Sequence, residues 1–189
     1  MNRCNWPGND LLMIKYHDEE WGIPVHDDRL LFEYMILDAF QAGLSWRTVL
    51  YKRENFRKAF DNFNPKKIAK YKKIKYQNLL SDSGIIRNRA KINAAIINAE
   101  KFLEVQKEFG SFDKYIWQFA LEKPIINKFK KLSDIPAKTR QSNEMSRDLT
   151  KRGFKFAGPI ICYAFMQAAG MVNDHLRDCF RYKELIFKF

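Results

Sequence analysis

Apolar residues recur every three or four positions along most of the chain, which is the spacing of one face of an α-helix. After Asp27 or Asp28, either of which can cap a helix, such a pattern runs until Gly43. A longer amphipathic pattern runs from about Arg87 to Phe109. No alternating pattern of useful length indicates a β-strand. The pattern therefore predicts an all-α fold.

Glycine, proline and capping residues predict where these helices begin and end. Ser45 can cap a helix that ends before Asn64-Pro65, and Ser111 can cap the helix that follows Gly110. Residues 122–140, which contain two prolines, are predicted to be irregular. Helices are then predicted from about residue 142 to Lys151 and from about 159 to 169. With no repeat or linker, 1–189 is predicted to form one compact domain.

Charge adds the first indication of a partner. Lys and Arg total 34 against 22 Asp and Glu, which gives a formal net charge of +12. Such an excess favours nucleic acid, although it is also typical of unrelated proteins from a lysine-rich proteome. No apolar stretch reaches the roughly 20 residues that span a bilayer, and no signal-peptide core precedes Glu20. We therefore expect a cytoplasmic protein with no membrane partner.

Cysteine and histidine are scarce, with three of each. His175 and Cys179 are four positions apart, so on a helix they would project from one face. Cys4 and His17 lie near the opposite end of the chain. Together the four could hold a tetrahedral zinc ion, but a single His-x-x-x-Cys pair also arises by coincidence. The odd number of cysteines argues against a disulfide framework.

A short turn, Gly153-Phe154-Lys155-Phe156-Ala157-Gly158, separates the last two predicted helices and follows Lys151 and Arg152. Two glycines around a hairpin can turn backbone N–H groups outward, and the start of a helix favours anions. The turn could therefore grip a DNA phosphate. It could equally be an ordinary connection whose two phenylalanines belong to the core.

Four aromatic residues lie in the first quarter of the chain: Trp6, Tyr16, Trp21 and Trp46. Aromatic side chains can stack on a flipped base, but they also pack ordinary cores. Asp38 falls on the otherwise apolar side of the helix that stops before Gly43, an unusual place for a carboxylate. It is either a paired structural acid or a residue of a functional site.

Five stretches together carry a resemblance to a known family. They are RCNW from Arg3, YHDEEWGIPVHD from Tyr16, QAGLSWRTVLYKRENFRKAF from Gln41, GIIRNRAKI from Gly84, and KRGFKFAGPIICYAFMQAAGMVNDH from Lys151. In order and along almost the whole chain, they resemble the type I 3-methyladenine-DNA glycosylases, the Tag family of the helix–hairpin–helix glycosylase superfamily. The resemblance implies a compact all-α glycosylase domain.

The resemblance also implies roles for individual residues. A structural zinc joining the two termini would be held by Cys4, His17, His175 and Cys179. Asp38 and Tyr16 would bind the base, Trp46 would stack on it, and Trp6 and Trp21 would complete the pocket. Gly43 and Leu44 match the turn that fills the gap left in DNA by base flipping. The implied phosphate-binding hairpin comprises Lys151, Arg152, Gly153, Lys155 and Gly158.

Two positions depart from the family pattern. Relatives commonly have glutamate where this chain has Asp38, which is one methylene shorter, and often a hydroxyl residue where this chain has Ala164. Asp174 lies about where other superfamily members keep a catalytic aspartate, but because its neighbour His175 is committed to zinc we assign Asp174 no catalytic role.

The expected activity is hydrolysis of the N-glycosidic bond of 3-methyladenine after base flipping. No lysine nucleophile is assigned, so a strand-cutting lyase step is not expected. The expected partner is double-stranded DNA containing alkylated bases, bound by a monomer. The alternative is a non-catalytic, zinc-stabilised DNA-binding module with a disabled pocket, for which Asp38 and Ala164 are the best support.

Overall fold

The computed structural model describes residues 2–188, and helices dominate this part of the chain. In chain order the helices are α1 (Leu11–Glu19), α2 (Asp28–Gln41), α3 (Trp46–Leu50), α4 (Arg53–Ala59), α5 (Pro65–Ile68), α6 (Lys73–Ser81), α7 (Arg89–Phe109), α8 (Phe112–Ile116), α9 (Arg140–Lys151), α10 (Pro159–Ala168) and α11 (Phe180–Lys188). Single 3₁₀ turns span Asp61–Phe63, Trp117–Ala120 and Leu132–Asp134. Among the described residues, no helix combines the length and apolar character needed to cross a membrane.

The prediction of a purely helical fold needs one small correction. Two-residue strands β1 (Ile125–Ile126) and β2 (Val172–Asn173) pair in parallel. β1 lies in the segment predicted to be irregular, and strands this short leave no alternating pattern in the sequence. The pairing attaches that segment to the chain directly after α10.

The predicted capping residues are largely confirmed. The Asp27 side chain accepts the Leu30 N–H at 2.8 Å and begins α2, and Ser45 caps α3 through Thr48. Gly110 ends α7 with a φ of +86°. The single helix predicted from Ser45 to Asn64 is wrong, because the chain breaks after Leu50 into α3, α4 and a 3₁₀ turn.

α2 forms the centre of the core. All its residues from Leu31 to Phe40 are buried, as expected of a helix surrounded by other helices. It packs against α3, α7 and α10, and Phe32 meets Phe102 of α7 edge to face at 4.9 Å between ring centroids. Any polar side chain on this helix must therefore find a partner inside the protein.

The two ends of the chain meet beside this core. The Phe180 N–H donates to the Asn2 carbonyl at 2.9 Å, and the Gly22 N–H donates to the Gln167 carbonyl at 3.0 Å. Gly170 makes the approach possible, because a Cβ there would lie 2.2 Å from the backbone of Ile23. The N-terminal segment is thus held against the end of α10 and the chain that follows it.

Candidate active site

A cavity of about 360 Å³ opens where the N-terminal segment, α1, α2, α3 and α10 meet. Its size lies within the range of small-molecule sites. All five residues predicted to form a base pocket line it. The complete lining is Trp6, Tyr16, Trp21, Asp38, Gln41, Trp46, Leu132, Ile135, Ala164 and Gln167.

The aromatic residues form a connected set around this cavity. Tyr16 and Trp46 lie 5.0 Å apart with their rings tilted by 44°, and Trp6 meets Trp21 nearly edge-on at 5.2 Å. The indole N–H groups of Trp6 and Trp46 are buried and have no partner among the described residues. Buried donors normally have partners, so these two N–H groups indicate a place for a ligand or for water.

Asp38 is the acidic group of the cavity. It is only 2% exposed, it accepts no hydrogen bond from the described residues, and its Oδ2 is buried. Burial raises the pKa of this carboxyl well above its ordinary value, and the positive charge of Arg53 opposes the rise. The alternative of a paired structural acid is therefore not supported by its surroundings.

Arg53 cannot serve as the partner of Asp38, because other carboxylates already hold it. Its Nη1 lies 2.6 Å from Glu20, and its Nε lies 2.6 Å from the fully buried Glu33. Sequence reasoning missed this network. Glu33 lies on the apolar helix α2 just as Asp38 does, so the same argument could have found it.

The cavity suits a flat ring that carries positive charge. Aromatic walls favour stacking, and a cation beside Asp38 would favour the ionised carboxylate over the neutral acid. Ala164 contributes no polar group. The hydrogen-bonding side chains of the lining are Asp38, Tyr16, Gln41, Gln167 and the tryptophan indoles.

Cys4, His17, His175 and Cys179 come together behind the aromatic wall. All four are buried, and their ligand atoms lie within 4.8 Å of one another. His175 Nδ1 is 3.1 Å from His17 Nε2, 3.5 Å from Cys179 Sγ and 3.8 Å from Cys4 Sγ. Zinc bonds of about 2.0 Å to nitrogen and 2.3 Å to sulfur place tetrahedral ligand atoms about 3.3 to 3.8 Å apart. The donor set and its spacing fit zinc.

The surroundings of the histidines also fit a metal centre. His17 Nδ1 lies 2.7 Å from Asp18, which Arg3 holds through two contacts, and His175 Nε2 lies 2.9 Å from the Trp21 carbonyl. Metal-binding histidines usually donate their outer N–H to such acceptors. The expectation that His175 and Cys179 share a helix face was wrong, because both precede α11 in a turn.

The hairpin between α9 and α10 differs in detail from the expectation. Phe154 is buried, whereas Phe156 is 36% exposed. Gly153 has a φ of +94°, but Gly158 does not need a glycine conformation, and the second left-handed residue is Phe156 at +53°. The N–H groups of Phe156, Ala157 and Gly158 donate to no acceptor among the described residues.

The basic residues of this hairpin divide into two groups. Lys151 and Lys155 are exposed. Arg152 instead pairs with Glu108 at 2.7 Å and Asp148 at 2.8 Å. Two carboxylates thus engage the Arg152 guanidinium, whereas Lys151 and Lys155 are exposed, and a phosphate contact by Arg152 stays a prediction.

The turn at Gly43-Leu44 lies between two residues that line the cavity, Gln41 and Trp46. Gly43 has a φ of +75°, and Leu44 is 42% exposed. Leu44 thus exposes an apolar side chain close in sequence to two residues of the cavity wall.

Comparison with known proteins accounts for this arrangement. The family model for methyladenine glycosylases matches residues 6–182. The chain belongs to this family. It is 48% identical to the DNA-3-methyladenine glycosylase of Haemophilus influenzae over 94% of this chain and 96% of that protein. It is 47% identical to DNA-3-methyladenine glycosylase 1 of Escherichia coli over 95% of this chain and 96% of that protein.

Solved structures agree with this family assignment. A crystal structure of 3-methyladenine DNA glycosylase I (TAG) superposes with a TM-score of 0.92 at 47% identity, covering 95% of this chain and 98% of that chain. A variant of 3-methyladenine DNA glycosylase I in complex with 3-methyladenine superposes at 0.91 with 34% identity, covering 95% and 96%. The family resemblance read from the sequence motifs is confirmed.

Proposed function

We propose that this protein removes 3-methyladenine from alkylated DNA by hydrolysing its N-glycosidic bond, as the first step of base-excision repair. One observation carries the proposal: an aromatic cavity contains a buried carboxylate that has no hydrogen-bond partner among the described residues. The relatives are named as glycosylases, so a non-catalytic DNA-binding module is not favoured.

The chemistry requires little beyond binding, because 3-methyladenine in DNA carries a positive charge and is already a good leaving group. Trp46 stacks on the extruded base, Tyr16 hydrogen-bonds to it, and Trp6 and Trp21 exclude water around it. Asp38 lies beside the cation, ionises on binding, and stabilises positive charge on the sugar as the bond breaks. Water then attacks the sugar carbon, its proton leaves to solvent, and the free base dissociates.

Release of free bases from methylated duplex DNA tests this proposal. We expect the wild-type protein to release 3-methyladenine and little 7-methylguanine, because a carboxylate shaped to one cation discriminates by hydrogen-bond pattern as well as charge. Chromatography with mass detection measures both bases in one reaction. DNA binding with no released base would contradict the proposal and support the binding module.

We further propose that Cys4, His17, His175 and Cys179 hold one structural zinc ion. Bound zinc would cross-link the two ends of the chain tetrahedrally and contribute folding free energy. His17 and His175 contact Trp6 and Trp21 with ring centroids 5.4 and 4.7 Å apart, so the cluster supports one wall of the cavity.

Cys162 provides a matched control for the zinc proposal, since it is a buried cysteine outside the cluster. Elemental analysis should find about one zinc per chain in the wild type and in Cys162→Ala. Cys179→Ala should lower both zinc content and melting temperature. Equal zinc content in the two variants would contradict the assignment.

The proposed DNA interface consists of Lys151, Lys155, the hairpin N–H groups from Phe156 to Gly158, and Gly43-Leu44. Lysines and amides hold phosphates without reading sequence, and Leu44 enters the space that the flipped base leaves. We propose that the protein acts on double-stranded DNA as a monomer.

The salt dependence of DNA binding tests the lysines. Lys155→Ala should reduce the slope of log affinity against log salt by about one unit, because one phosphate contact is lost. Lys107→Ala is the control for the loss of one lysine charge, because Lys107 is an exposed lysine of α7 outside the hairpin. Equal slopes in the two variants would show that Lys155 does not contact a DNA phosphate.

A further inference from the structure

The two loops proposed to contact DNA are both attached to α7. Lys91 and Asn98 lie on the buried side of this helix, and each reaches one loop. They are seven residues apart, which is two helical turns or about 10 Å along the axis. Buried polar side chains normally have hydrogen-bond partners, so the partners of these two residues show what they hold in place.

Lys91 holds the turn that carries Leu44. Its Nζ donates to the carbonyls of Phe40 at 2.8 Å and Ala42 at 2.5 Å. Carbonyls at the end of a helix lack partners within the helix, and a cation there is favoured by the helix dipole. Ala42 directly precedes Gly43, so Lys91 fixes the point from which Leu44 projects.

Asn98 holds the hairpin in the same way. Its Oδ1 accepts the Lys155 N–H at 2.7 Å, and its Nδ2 donates to the Lys155 carbonyl at 3.0 Å. Both backbone groups of Lys155 are thereby engaged inside the protein. The next residue, Phe156, adopts a left-handed conformation that is rare for an aromatic residue and needs support from its surroundings.

We propose that Lys91 and Asn98 are positioning residues, which set the spacing between Leu44 and the hairpin N–H groups that donate to no acceptor among the described residues. A strand held by its phosphate at the hairpin would then present the vacated base position to Leu44. The inference rests on the proposed function, since it takes these two loops to be the ones that bind DNA. Because both side chains are buried, they act through the loops rather than by touching DNA.

The two residues should differ in which DNA they affect. Fluorescence anisotropy would compare an undamaged duplex with one that contains a tetrahydrofuran abasic site. Asn98→Ala should weaken both by about tenfold, the equivalent of roughly 1.4 kcal/mol from lost hairpin contacts. Lys91→Met should weaken binding to the abasic duplex by about tenfold and binding to the undamaged duplex by less than about threefold. The difference is expected because Leu44 can enter the duplex only where a base is missing.

Lys107→Met is the matched control for the lost charge, and it should change both affinities by less than about twofold. Quenching of tryptophan fluorescence by free 3-methyladenine reports on the cavity, and circular dichroism reports on the fold. Both should match the wild type in every variant. Wild-type DNA affinity in Lys91→Met and Asn98→Ala would overturn the proposal. A loss of free-base binding as large as the loss of DNA affinity would also overturn it.

Failure of the proposed function would give a different result. In that case the wild-type protein would release no base from methylated DNA. Base release is measured separately from the duplex affinities, so the two failures can be told apart. Lys91→Arg adds a further check, because it restores a cation at the end of α2 and should recover part of the affinity for the abasic duplex.

Discussion

Two aspartates are buried near the cavity, and their surroundings differ. Asp174 is 1% exposed and accepts hydrogen bonds from Asn127 at 2.6 Å, Tyr163 at 2.7 Å and Gln167 at 2.8 Å. Asp38 is 2% exposed and accepts none from the described residues. Burial alone therefore does not separate a structural carboxylate from a functional one.

The difference lies in what each environment supplies. Three donors around Asp174 compensate for the loss of water and tie α10 to β2 and to the segment that contains Asn127. Because Gln167 also lines the cavity, Asp174 supports its wall without entering it. Asp38 has lost water without gaining a donor from residues 2–188, so its hydrogen-bonding capacity is left for a ligand. This contrast agrees with assigning the chemistry to Asp38 rather than to Asp174.

The largest expected effect is on base release by Asp38→Asn. Removing the charge while keeping the shape should slow release of 3-methyladenine by on the order of 10²-fold, a typical loss for an electrostatic group in an active site. Single-turnover release from methylated DNA measures it. Asp174→Asn is the comparison, and release at no less than about a third of the wild-type rate is expected. Equal losses would end the distinction between the two aspartates.

Asp174→Asn should instead reduce stability. An asparagine turns an N–H group toward donors that now lack an acceptor, which should cost about 2 kcal/mol of unfolding free energy. Urea denaturation followed by circular dichroism measures this. A wild-type midpoint would show that the three hydrogen bonds contribute little.

Asp38 also makes the stability of the folded protein depend on pH. Burial raises the pKa of this carboxyl, so the folded protein binds its proton more tightly than the unfolded chain does. The resulting cost is absent below the ordinary pKa of 3.8 and grows as pH rises toward the folded-state pKa.

Asp38→Asn should therefore match the wild type near pH 4 and become the more stable protein as pH rises to 7, by about 1.4 kcal/mol per pH unit until the folded-state pKa is reached. Arg53, Tyr16 and Cys162 are the titratable groups coupled electrostatically to Asp38, and they are common to both proteins. Melting curves across this range test it, and a variant less stable at neutral pH would contradict the unpartnered state of Asp38.

The smallest effect is expected for Tyr163→Phe. It removes one of the three donors to Asp174 and leaves the ring, so it should cost about 1 kcal/mol of unfolding free energy. The same urea titration measures it, with base release as the control. A cost equal to that of Asp174→Asn would mean that Tyr163 alone satisfies the carboxylate.

The helices and their ends were predictable because their causes are local. Asp27, Ser45, Gly110 and Ser111 act on neighbours three or four residues away, so their effect is visible in a short window. The same locality made Asp38 noticeable, as a carboxylate on an apolar helix face. The break at Leu50 and the β1–β2 pair were missed, since packing and long-range pairing decide them.

The sequence by itself determined the family, through five motifs in order, and with it five of the residues that line the cavity. Only the tertiary structure decided which polar groups have partners. It engaged Arg152 with Glu108 and Asp148, and it surrounded Asp174 with donors. It left Asp38 without a hydrogen-bond partner in the described part of the chain, and it brought Lys91 and Asn98 to two distant loops. Hydrogen bonds between residues far apart in the chain depend on how the helices pack, and no local pattern records that packing.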